Sequence, residues 1–231
     1  MNKIIDGILG FAIGDALGVP AEFKSREELK INPITDMISG GAHNQVKGTW
    51  SDDTSMTLAT IHSIIETGTI NTNDMADKFL KWYRNGEYTA TGKLFDIGRT
   101  TIQALAKYEL RLDDATNCGG NGEYDNGNGS LMRILPIAYY IYYKQIKDDN
   151  KKYKIVRDVS NITHAHEISV LGCYINVRYC LLLLDGKDKF EAYNGIKKLD
   201  YSMFSEYAIS KYSRILQNNI ADISEGVYDG R

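Results

Sequence analysis

Apolar residues recur every three to four positions in segment after segment of this 231-residue chain, and no run of strict polar–apolar alternation persists. That spacing gathers apolar side chains on one side of a helix and leaves no face for a pleated strand to bury. Only three prolines punctuate the pattern. An all-α fold follows. The length suits one sizeable domain over residues 1–231 with a substantial core, and the polar stretch 220–231 is expected to be a frayed tail.

Charge narrows the partners. The formal net charge of −3 comes without a basic block or aromatic–basic interleaving, which argues against nucleic acid. Cys118, Cys173 and Cys180 form no CxxC pair, a pattern expected of reduced thiols in a reducing compartment. The apolar stretch from Ile4 to Val19 is interrupted by Asp6 and Asp15. It reads as too short and too charged to span a bilayer, so the expectation is a cytoplasmic protein with no membrane partner. Within it Ile4, Ile5, Ile8, Leu9, Ala12, Ile13, Ala16 and Leu17 make a helical stripe. Gly10, Gly14 and Gly18 form a smooth ridge four residues apart. Glycine lowers helix propensity, so such a ridge predicts close approach of another helix or a ligand.

Further helices are expected over 73–84 with Asn73 as cap, after Gly98, and over 131–144, 168–184, 190–199 and 204–218. Residues 24–47 are polar and irregular, a connecting loop.

The polar motifs sit at helix starts. In Gly48-Thr49-Trp50-Ser51-Asp52-Asp53-Thr54-Ser55-Met56, Ser51 is a good N-cap and the two aspartates fall in the first turn, where the helix dipole favours negative charge. That is one reading of the doublet; metal binding is the other. Consecutive helical side chains diverge by about 100°, so the pair would serve two neighbouring ions rather than chelate one. A two-metal centre of about 3.5–4 Å spacing fits that placement. Oxygen donors suit Mg2+ or Mn2+ rather than Zn2+. Glu22 is a solvated loop carboxylate or a member of the same site. Gly127-Asn128-Gly129-Ser130, opening a helix, is a plain turn or a cradle of backbone N–H groups for an anion. It lacks the GxxxxGK[ST] pattern of a P-loop. Arg133, one turn on, either adds a phosphate contact or faces water. In Thr163-His164-Ala165-His166-Glu167 the HxH pair precedes a helix rather than ending a strand, which disfavours zinc. His164 is then a candidate contact to a ribose or base, and His166 part of the helix start.

Four blocks, GDALGVPAEF, GTWSDDTSMTL, GNGSLMR and the THAH segment, resemble in order and approximate spacing those of the ADP-ribosylglycohydrolase family, the group that includes the dinitrogenase reductase-activating glycohydrolases. The likeness runs from Ile4 to about Asn218. It implies a compact multi-helix orthogonal bundle with a dinuclear Mg2+ or Mn2+ site beside an ADP-ribose cleft. Carried over, Ser51, Asp52 and Asp53 match the first metal-binding segment, and serine stands where many relatives have threonine. Glu22 matches an acidic residue near the metals, proposed as base or gate. Gly127, Asn128, Gly129 and Ser130 match the loop holding ribose and diphosphate; His164 matches a ligand-lining histidine, and Gly98 lies near the phosphates. One departure stands out. The family's second metal segment, an Asp-x-Asp-Thr motif on a late helix, has no counterpart after Leu184. The expected activity is metal-dependent release of ADP-ribose from a modified protein side chain or small acceptor, with a separate partner as one possible source of the missing segment. The alternative is an ADP-ribose-binding module or structural relative that does not turn over.

Overall fold

The structure, a computed structural model, describes residues 2–110 and 113–218. The expected tail at 220–231 lies outside the described residues. Eleven α-helices follow in order: α1 Lys3–Gly18, α2 Arg26–Ile31, α3 Asp52–Thr67, α4 Thr72–Asn85, α5 Arg99–Glu109, α6 Leu135–Tyr143, α7 Asp149–Ser160, α8 Glu167–Leu184, α9 Lys189–Ile196, α10 Glu206–Lys211 and α11 Ser213–Leu216. No strand occurs among the described residues; two isolated bridges pair Gly40 with Gln45 and Gly120 with His164.

Helix α8 is apolar on nearly all sides because it is surrounded, by α6, α7, α9 and α10. Leu171, Cys173, Tyr174 and Val177 lie fully buried along it. A second packing unit joins α3 to α4, where Met56 and Ala59 share one apolar cluster with Met75, Phe79 and Trp82. All three cysteines are free thiols.

Local chemistry sets most boundaries. Ser51 accepts from Asp53 N at 3.2 Å to start α3, and Gly68 ends it at φ +67°. Gly98 precedes α5 as expected. Asn71, not Asn73, caps α4: its side chain accepts from Asp74 N at 3.1 Å. Asn73 Oδ1 is taken instead by Ala115 N at 2.9 Å. The helix expected over 131–144 begins as a 3-10 turn at Leu131–Arg133 before α6. The one expected over 204–218 is broken into α10 and α11 at Tyr212.

Helix α1 departs most from expectation. It is held by one side, where Gly7 lies against the Tyr139 hydroxyl and Lys3 Nζ donates to Leu184 O at 2.6 Å. Ile5, Leu9 and Ile13 face out, and Cβ atoms at Gly10, Gly14 and Gly18 would meet nothing within 4 Å among the described residues. By length and composition alone, Lys3–Ala21 and Glu167–Leu184 could each cross a membrane, which corrects the reading of the first as too short and charged. The second is the core helix α8.

Candidate active-site cleft

The start of α3 is capped twice. Besides Ser51, Asp15 of α1 lies across it, its carboxylate accepting from Ser51 N and Thr54 N at 3.1 Å and from Thr54 Oγ1 at 2.6 Å. Asp15 thereby neutralises donors that a helix N-terminus leaves unpaired. It also fixes the direction in which Asp52 and Asp53 leave the backbone.

Both aspartates line a cleft of about 860 Å3. Asp52 is only 8% exposed. Burial, with Asp96, Asp53 and Asp15 nearby, pushes its carboxyl up to about 9. Burial, then Asp15, Glu22 and Asp96, raises Asp53 to about 7. Such shifts come first from removing carboxylates from water and then from the like charges gathered beside them. Glu22 is raised too, first by its own burial and then by Asp96.

Loop 40–45 gives Glu22 a partner. Gly41 sits at φ +72°, and a Cβ there would stand 2.8 Å from Pro20 Cα, so only glycine lets the loop seat on the turn after α1. The loop then presents His43, whose Nε2 lies 2.7 Å from Glu22 Oε2 and 3.8 Å from Asp96 Oδ2. Phe23 and Phe95 hold the imidazole at ring-centroid distances of 5.8 and 5.3 Å. Donor atoms of Glu22, His43 and Asp96 all fall within 4.8 Å of one another. The carboxylates of Asp52, Asp53, Glu22 and Asp96 form an oxygen-rich donor set with excess negative charge, which fits a hard divalent cation.

The opposite wall is the glycine loop. Gly127, Asn128, Gly129 and His164 line the cleft with Gly98, Arg99, Thr100 and Thr101. A Cβ on Gly129 would stand 2.5 Å from His164 Cε1 and 3.1 Å from Thr101 Oγ1, so the loop passes too close for any side chain. Asn128 O accepts from Met132 N at 3.0 Å, closing the turn. Ser130 points away from the cleft: its hydroxyl is buried, accepting from Ser160 Oγ at 2.9 Å and lying 3.3 Å from Cys173 Sγ. Ser51 likewise serves the helix cap and is absent from the cleft wall.

Arg133 neither meets a phosphate nor faces water. It is fully buried over the Phe79 ring, donating from Nη2 to Thr163 Oγ1 at 2.7 Å and from Nη1 to Val159 O at 3.2 Å. Thr163 Oγ1 accepts from Arg133 and lies 2.9 Å from His164 Nδ1. Burial, followed by the Arg133 charge, pulls the His164 pKa down to about 4, so the ring is neutral at physiological pH. His166 caps α8, accepting from Ile168 N at 3.3 Å.

Of the residues named from the sequence, Glu22, Asp52, Asp53, Gly98, Gly127, Asn128, Gly129 and His164 line this cleft. It passed over Asp15, His43, Asp96 and Arg99. Asp96 had a local signal in retrospect: a polar residue just before the Gly98 cap, held at φ +50°.

An all-α fold with an acidic helix start facing a glycine loop across one cleft belongs to a known class. The ADP-ribosylglycohydrolase family profile matches residues 1–227, and the chain is a member of that family. It is 31% identical over 195 residues to the ADP-ribosylarginine hydrolase Tri1 of Serratia proteamaculans, covering 84% of this chain and 50% of that protein. The Pseudomonas putida protein of the same name is 34% identical over 194 residues, covering 83% and 49%. The ADP-ribosyl-[dinitrogen reductase] glycohydrolase of Rhodospirillum rubrum is 28% identical over 188 residues, covering 80% and 59%. A solved ADP-ribosylglycohydrolase-related protein complex shares the fold at TM-score 0.62 and 24% identity, over 93% of this chain and 62% of that one. The chain therefore spans about half the length of the arginine-hydrolase relatives it matches.

Proposed function

We propose that this chain carries the ADP-ribose-binding and acid-cluster portion of a hydrolase that releases ADP-ribose from an arginine-linked or other ADP-ribosylated protein or small conjugate. The observation that carries this reading is that Asp52, buried, and Asp53, half-buried, line one cleft together with the Gly127–Gly129 turn. Backbone N–H groups of that turn and the exposed Arg99 guanidinium would hold the diphosphate. His164 Nε2 would orient a polar group of the ribose or base. Glu22, its carboxyl raised by burial and positioned by His43, would accept the proton of the attacking water. Asp52 and Asp53 would hold Mg2+ or Mn2+, two ions in a complete site. Bound there, the cation would lower the pKa of water and fix the ribose hydroxyls.

The test is release of ADP-ribose from ADP-ribosyl-arginine and ADP-ribosyl-serine peptides, with Mg2+ or EDTA, beside an Asp52→Ala/Asp53→Ala variant. Turnover that needs Mg2+ and vanishes in the variant supports the reading. A second reading is a module that binds ADP-ribose without turnover. Binding of free ADP-ribose without release from either peptide would select it. The setting we propose is the cytoplasm, with no nucleic-acid partner.

A further inference from the structure

The turn after α1 carries a ring where its geometry asks for glycine. Lys24 N donates to Ala21 O at 3.1 Å, and Glu22 stands at φ −54°, ψ 139° with Phe23 at φ +61° behind it. That order of angles is a type II turn, whose third residue has positive φ and is ordinarily glycine or asparagine. Phe23 takes that place without the compensation of burial, for it is 74% exposed. Its ring meets the His43 imidazole at 62° and a centroid distance of 5.8 Å. The remainder opens onto the cleft that Glu22, Asp53 and Asp96 also line. Neither turn geometry nor core packing selects such a side chain, and a strained, exposed aromatic at the edge of a cleft points to a ligand.

Of the acceptor linkages open to the proposed reaction, one suits this ring. ADP-ribosylation of arginine replaces one N–H hydrogen and leaves the guanidinium planar and positively charged, whereas a serine linkage is a neutral acetal. A planar cation lies favourably over the face of an aromatic ring. The carboxylates of the cleft also attract a cation, but Mg2+ or Mn2+ held at the aspartates would compete for them. A hard metal ion takes oxygen donors and leaves an aromatic face free, so the ring can discriminate where the carboxylates cannot. We propose that Phe23 selects an arginine-linked acceptor over a serine-linked one by stacking on its guanidinium, while the ADP-ribose extends toward the Gly127–Gly129 turn. The proposal rests on the hydrolase reading for the place of the bond to be broken; the preference itself is a property of binding.

The test uses matched ADP-ribosyl-arginine and ADP-ribosyl-serine peptides, with affinity read by titration calorimetry in EDTA and ADP-ribose release read in Mg2+. The wild-type chain should bind the arginine-linked peptide more tightly, and Phe23→Gly should reduce the arginine-to-serine affinity ratio about tenfold. Glycine suits the turn, so this variant should melt no lower than wild type by circular dichroism. Phe23→Trp, which keeps an aromatic face, should retain the preference, and Phe23→Leu, which keeps only apolar bulk, should lose it. Tyr124 lines the same cleft at the same 74% exposure but beside the glycine loop, so Tyr124→Leu should not alter the ratio. The idea is overturned if wild type shows no preference, if the ratio ignores Phe23→Gly, or if that variant weakens both peptides equally, as a mere support for His43 would. A lower melting temperature for Phe23→Gly, or a preference that survives in Phe23→Leu, overturns it as well. A ratio that falls as expected in a chain without Mg2+-dependent release sinks the hydrolase reading and leaves the acceptor preference standing. Release from both peptides with a ratio indifferent to Phe23 does the reverse, and failure to bind either peptide overturns both.

Discussion

The Asp15 carboxylate and the Thr54 hydroxyl, 39 positions apart in sequence, meet at 2.6 Å, and the same oxygen also receives Thr54 N at 3.1 Å. This contact fastens α1 to the first turn of α3 and so decides where the aspartate doublet points. Asp15→Ala should cost about 2–3 kcal/mol, since it strips the shared acceptor from several partly buried donors, while Thr54→Val should cost about 1 kcal/mol. Urea unfolding monitored by circular dichroism checks both, and equal costs for the two variants would contradict the double-cap assignment.

Proton linkage gives a second expectation. Asp52 and Asp53 titrate near 9 and 7 in the folded chain, against the ordinary 3.8. A carboxyl whose folded pKa lies above its unfolded value binds more protons when folded, so stability is full below about 4 and declines as pH rises toward 9. Without divalent cations, the Tm should fall by on the order of 5 °C between pH 5 and pH 9. Asp52→Asn should flatten that decline, and saturating Mg2+ or Mn2+ should reverse it at pH 8. A calorimetric Tm that rises over this range would refute the assignment.

Gly129→Ala should abolish or weaken ADP-ribose binding by about tenfold or more while leaving the far-UV spectrum intact, because its Cβ would displace His164 and Thr101. Gly127→Ala, with 3.8 Å of clearance to His164 Nε2, should bind nearly as wild type. Calorimetric titration with free ADP-ribose compares them.

Arg133 has a structural task. Its guanidinium stands in the core over Phe79 and holds Thr163, so Arg133→Ala should destabilise by about 3–5 kcal/mol through the cavity and the orphaned hydroxyl. A merely phosphate-binding arginine at the surface would change unfolding by well under 1 kcal/mol.

What the sequence made legible follows from range. Ser51, Asp52 and Asp53 announce themselves because cap and first turn are neighbours in the chain, and the glycines at 127 and 129 stand together in one short run. The helical stripe along α8 was equally readable, since a surrounded helix is apolar on all sides. Asp15 was not, because an aspartate inside an apolar stripe looks like an interruption until α3 is placed against it. His43 was hidden in a loop whose only local mark was Gly40-Gly41. Asn73 shows the competition directly: a good cap by type, it was outbid by Asn71 and taken up by Ala115 N. Arg133 failed as a phosphate ligand because its one-turn spacing from Ser130 falls on a 3-10 turn that aims it inward.

The buried Ser160–Ser130 contact has a further meaning for recognition. Ser130 is pinned between α7 and α8, and Gly120 pairs with His164 from the other side. The backbone freedom of the Gly127–Ser130 turn is therefore given up once, when the protein folds, and not again each time a ligand arrives. An anion that binds beside this turn would meet a loop already ordered, so little of its affinity would be lost to ordering.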